Sequence, residues 1–109
     1  MKSITPGGLA QRLDNGPPPF LLDVREPEEL VDDGCIAGSV NIPMGEVEDR
    51  LGEIPIDREI VVYCHLGARS AYVTKKLNAL GYDRAVNLTG GYDAYLAAPF
   101  SSTSETSSE

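Results

Sequence analysis

Ile60-Val61-Val62-Tyr63-Cys64-His65-Leu66-Gly67-Ala68-Arg69-Ser70-Ala71 is the stretch on which the reading of this chain turns. Its first four residues are β-branched or aromatic and predict a strand buried on both faces. The strand runs into a cysteine, a short loop containing Gly67 follows, and a helix is predicted to begin near Arg69. Ala71, Val73, Leu77 and Leu80 fall close to a helical period, and Gly81 ends that stretch as a C-terminal glycine would.

Outward from this unit the apolar runs and breakers alternate. Phe20 to Val24, Ser39 to Ile42 and Ala85 to Leu88 read as further strands, with Lys2 to Ile4 as a weaker one. Between them lie helical patterns. One opens at Thr5-Pro6 and runs through Leu9 and Leu13; another covers Glu26 to Val31, with Pro27 in its first turn. Short helices are predicted over Gly45 to Leu51 and Tyr92 to Leu96. Strands alternating with helices imply parallel βαβ units and an α/β sheet covered on both faces. In such sheets reactive groups gather at the carboxyl ends of strands, which is where Cys64 stands.

The chain has 109 residues, and the last nine, SSTSETSSE, carry no apolar side chain. The expectation is one domain over 1–100 and a solvated tail over 101–109. Nine Lys and Arg against seventeen Asp and Glu give a formal charge of −8. An acidic surface repels nucleic acid and anionic membranes, so neither is expected as a partner. No apolar run is long enough to span a bilayer, and MKSITPGG does not read as a secretory signal. Two cysteines in that setting imply reduced thiols and a cytoplasmic location, without a Cys35–Cys64 disulfide.

The loop has a chemical rationale. Backbone N–H groups of His65, Leu66, Gly67, Ala68, Arg69 and Ser70, at the start of a helix, favour a thiolate on Cys64 and an anion beside it. Gly67 allows the turn, Arg69 adds a permanent charge shaped for an oxyanion, and His65 adds another when protonated. A free cysteine ending a core strand is also often just a small buried apolar residue. Gly67, Arg69 and the helix start are what favour a site.

With those residues in view, the chain resembles the rhodanese-like domain family over nearly its whole folded length. The resemblance rests on four segments in order: Leu21 to Glu29, Gly34 to Pro43, the six-residue loop Cys64 to Arg69, and Gly90-Gly91-Tyr92-Asp93-Ala94-Tyr95, with Tyr92 where the family usually has Trp. It implies a five-stranded, mostly parallel sheet with helices on both faces and no cofactor or metal. It further implies a sulfurtransferase in which Cys64 takes sulfane sulfur from a small donor such as thiosulfate, becomes a persulfide, and passes the sulfur to a thiol or protein acceptor. The loop N–H groups from His65 to Ser70 would hold the persulfide and the bound anion, and Arg69 would orient the donor's sulfonate.

Two departures stand out. Cys35 replaces a His common in the family and is expected to pack as a small apolar residue. His65 stands where many members carry Arg, which weakens the local positive field. Asp23 and Arg25 read as a structural pair, Glu26, Glu28 and Glu29 as a solvated helix face, and Gly90-Gly91 as a tight turn beside the site. The rival enzyme class is a cysteine-based phosphatase or arsenate reductase, whose cradle is one residue longer. Here four residues separate Cys64 from Arg69, which leaves less room for a phosphoryl group. The other alternative is a non-enzymatic persulfide carrier or regulatory module.

Overall fold

In the computed structural model, which describes residues 1–98, the strand predicted over Ile60–Tyr63 lies at the centre of a five-stranded sheet. The strands are β1 (Lys2–Ile4), β2 (Phe20–Asp23), β3 (Val40–Asn41), β4 (Ile60–Tyr63) and β5 (Ala85–Leu88). They lie in the order β1-β5-β4-β2-β3, and every neighbouring pair is parallel. Three α-helices connect strands, α1 (Pro6–Asp14), α2 (Pro27–Asp33) and α3 (Ala68–Ala79), and α4 (Gly91–Ala97) follows β5. The expected tail over 101–109 lies outside the described residues.

The two faces follow from the pleat. Ile60, Val62 and then Cys64 share one side and pack with Leu22, Val73 and Leu77. Val61 and Tyr63 share the other side with Leu21, Leu88, Leu9 of α1 and Tyr92 of α4. All four residues of β4 are buried, as a central parallel strand covered on both faces requires. Period two therefore delivers Cys64 to the face over which α3 runs.

Two predicted elements take a different form. The strand around Ser39 to Ile42 keeps regular pairing only at Val40–Asn41, at the sheet edge, before Pro43 turns the chain away. The helix expected over Gly45 to Leu51 is instead two 3-10 segments, Met44–Glu46 and Glu48–Glu53, the second kinked at a non-helical Arg50. Stretches this short, studded with Gly45 and Gly52, do not offset the cost of nucleating an α-helix.

Candidate active site

Thr5 and Gly67 show how differently two helices of this fold begin. Thr5 caps α1 with its side chain, its oxygen accepting from the Gly8 N–H at 3.0 Å. α3 starts at Gly67, which has no side chain to offer, and the sulfur of Cys64 takes that place. The Gly67 N–H donates to Cys64 Sγ at 3.1 Å, and the Ser70 N–H and hydroxyl both reach it at 3.4 Å. Gly67 sits at φ +112°, a left-handed conformation that a side chain would strain.

Cys64 is 2% exposed and packs in the core cluster, so the bland reading of a buried apolar cysteine is half right. An apolar residue, however, needs no converging donors. Burial pushes the thiol pKa up, but the Ser70 hydroxyl and the N–H groups of Ser70, Gly67 and Leu66 outweigh it. The result is a thiol held below its ordinary value. The Ser70 hydroxyl has one proton and two acceptors in reach, Cys64 Sγ and the Gly67 carbonyl at 3.2 Å. Asn87 Nδ2, on the neighbouring strand β5, and the Ala71 N–H also donate to that carbonyl, at 3.4 and 3.0 Å, which fills its two lone pairs and favours the sulfur as acceptor for the Ser70 proton. Thr74 holds the first turn by donating to the Ser70 carbonyl at 2.7 Å.

The loop is clamped from behind by α4. The Tyr92 N–H donates to the Cys64 carbonyl at 2.8 Å and the Asp93 N–H to the His65 carbonyl at 3.1 Å. Gly91 is required here by space. A Cβ at that position would lie 2.6 Å from the His65 oxygen and 2.7 Å from the Cys64 oxygen, both backbone atoms that cannot yield. The Gly90-Gly91 turn beside the site is thus the contact that sets the loop's height.

Among the residues predicted for the site, Gly67 and Ser70 donate to the sulfur, and Leu66 contributes through its N–H while its side chain is exposed. Ala68 is exposed at the start of α3. His65 turns towards Asp93, with Nδ1 3.3 Å from Oδ1 and without the alignment of a hydrogen bond. Arg69 is not an unpaired cation. Its two terminal nitrogens donate to the two oxygens of Glu29 at 2.7 and 2.9 Å. The Arg69 hydrogen bonds hold the Glu29 carboxyl at a pKa of about 2, against the penalty of burial.

Two expectations therefore change, and one residue was missed. Glu29 is a half-buried partner of the loop, whereas Glu26 and Glu28 do face solvent as read. Cys35 is exposed and fills no core position; the residue that packs there is its neighbour Ile36. Asn87, singled out by nothing in the sequence reading, touches the loop; its one signal was a lone amide in an otherwise apolar strand. Asp23 and Arg25 form the structural pair anticipated. Arg25 Nη2 donates to Asp23 at 2.7 Å, both side chains are fully buried, and the guanidinium lies over the Tyr92 ring at 4.6 Å.

Beside the loop runs a groove of about 500 Å³ that shares Ala68 and Arg69 with it; Cys64 itself does not line it. Among the described residues no helix is long and apolar enough to cross a membrane, and no cluster of His, Cys, Asp and Glu is placed to hold a metal ion.

The chain is similar to known proteins in sequence and in fold. A sulfurtransferase of Allochromatium vinosum is 40% identical over 87 residues, covering 80% of both chains. The crystal structure of a rhodanese-like domain protein from Staphylococcus aureus superposes with a TM-score of 0.82 at 37% identity, over 87% of this chain and 91% of that one. A human single-domain sulfurtransferase superposes with a TM-score of 0.80 at 29% identity, over 88% of this chain and 96% of that one. The family model described as "Rhodanese-like domain" matches residues 5–98, and the chain belongs to the rhodanese-like domain family.

Proposed function

We propose that the protein is a sulfurtransferase that carries sulfur on Cys64 as a persulfide. The observation that carries this reading is the Cys64 sulfur itself, facing three donors at 3.1 to 3.4 Å with its thiol pKa lowered. Relatives named as sulfurtransferases add weight.

In the first step the Cys64 thiolate attacks the outer sulfur of a donor such as thiosulfate. The sulfur–sulfur bond of the donor breaks, sulfite leaves with the bonding pair, and Cys64–S–S⁻ remains. In the second step a thiophilic acceptor attacks the terminal sulfur, and Cys64 is released as thiolate. Neither step changes the overall oxidation state, so no cofactor is consumed. The same donors that stabilise the thiolate stabilise the persulfide anion, and again the thiolate as leaving group. A reduced thiol is needed at the start of each cycle, which suits a cytoplasmic setting. The acceptor is a small thiol or a protein thiol.

The test is intact mass after incubation with thiosulfate. The protein should gain one sulfur atom, lose it to cyanide, and gain none as Cys64→Ser. A Cys64→Ser variant that keeps most of its thiosulfate:cyanide activity would end the assignment.

A further inference from the structure

Arg69 is the cation of the loop, and it is already occupied. Its fork meets Glu29 in a bidentate pair at 2.7 and 2.9 Å, with side-chain exposures of 34% and 28%. Glu29 is itself held in place: its Oε1 accepts the Glu26 N–H at 2.9 Å at the start of α2. A carboxylate clasped this way presents two oxygens to the guanidinium, as one edge of a sulfonate would. The pairing holds the Glu29 carboxyl ionised, its pKa lowered to about 2.

The groove next to Arg69 likewise leaves no charge unmatched. Met44, Val47, Tyr72 and Val73 give it an apolar lining. Its other charged residues, Lys76 and Glu48, pair with each other at 3.3 Å. A volume of about 500 Å³ is far more than an inorganic anion needs and falls in the range of small organic ligands.

We propose that Glu29 is a specificity-determining residue that occupies the oxyanion position on Arg69, so that the favoured sulfur donor is a small organic persulfide whose carbon skeleton lies in the groove lined by Met44, Val47, Tyr72 and Val73. The inference rests on the sulfur-transfer reading of Cys64. Thiosulfate competes with Glu29 for the two terminal nitrogens of Arg69. A persulfide R–S–SH has no oxyanion and need not. Cys64 thiolate attacks its outer sulfur, the sulfur–sulfur bond of the donor breaks, R–S⁻ leaves with the bonding pair, and Cys64–S–SH forms; the exchange is redox-neutral.

The experiment measures the second-order rate of sulfur loading on Cys64, by rapid quench and intact mass, with thiosulfate and with benzyl hydropersulfide generated in situ. The wild-type protein should load faster from the benzyl compound by about ten-fold or more. Glu29→Gln should speed thiosulfate loading and shrink that ratio by about ten-fold, the scale of one charge-assisted contact. Tyr72→Ala should slow loading from the benzyl donor several-fold more than from thiosulfate. Thiosulfate loading faster in the wild type, or a donor ratio untouched by Glu29→Gln, overturns the proposal. If neither donor loads Cys64, the sulfur-transfer reading falls with it.

Discussion

β2 and β4 are neighbours in register, Asp23 opposite Tyr63, and both run into polar residues at their carboxyl ends. They use that polarity in opposite ways. At the end of β2, Asp23 and Arg25 close on each other and on the Gly34 carbonyl, fully buried beneath the aromatic rings of Tyr63 and Tyr92. At the end of β4, no charged side chain bonds to Cys64, and the donors around it come from backbone and a hydroxyl. The first arrangement uses its electrostatics to hold the chain, and the second keeps a buried thiol ionisable. The difference lies in the residues next along the chain. Arg25 can fold back on a carboxylate two residues away, whereas Gly67 and the first turn of α3 aim N–H groups at the sulfur.

The largest effect on stability should come from breaking the β2 pair. Asp23→Ala leaves a buried guanidinium with its carboxylate gone, a change that costs about 3–5 kcal/mol. That is a large share of the total stability of a domain, typically ~5–15 kcal/mol. Urea denaturation should show it, while sulfur loading per folded molecule is retained. A variant that is as stable as the parent would mean that the pair is not what secures this end of the sheet.

Ser70→Ala should do the reverse, with a modest cost in stability and a clear change in chemistry. Removing the hydroxyl takes away the strongest of the interactions that favour the thiolate, so the thiol pKa should rise. Alkylation rate against pH reads this directly: the midpoint lies below the ordinary thiol range in the parent and moves up in the variant. The sign for stability can be worked out from the same shift. A thiol whose folded pKa is depressed stabilises the fold above its unfolded pKa, and that contribution is lost as pH falls through the folded value. Ser70→Ala should therefore cost more at alkaline pH than at acidic pH. An unchanged alkylation midpoint would show that the backbone donors alone tune Cys64.

Cys35→Ser should have the smallest effect. The residue is exposed, comes directly after the Gly34 that accepts from Arg25, and sits on the structural side of the comparison. Stability should move by less than ~0.5 kcal/mol, as is usual for an exposed site, and the lifetime of the Cys64 persulfide should not change. A longer-lived persulfide in this variant would make Cys35 part of the chemistry.

Much of the molecule was legible from local pattern. Ile60 to Tyr63 carries its strand in β-branched residues, Thr5-Pro6 announces α1, and Gly67 marks the turn before α3 because few other residues adopt its conformation. The alternation of strands and helices implied a parallel sheet, and the strand-end rule singled out Cys64. Glu29 and Asn87 were not legible in the same way. Glu29 lies 40 residues from Arg69 in sequence, and its charge suits a solvated first turn equally well. Only the packing of α2 near the start of α3 makes it a partner. Asn87 reaches the Gly67 carbonyl because β5 pairs with β4, a choice of strand order that no local pattern encodes. Cys35 shows the converse: its residue type suggests burial, and the turn after α2 leaves it in solvent. Sequence by itself determined most of the elements, though not the 3-10 segments between β3 and β4, and the candidate nucleophile, since propensity, turn chemistry and period act over a few residues. Tertiary structure decided which charges are available, because pairing depends on distances between segments far apart in the chain.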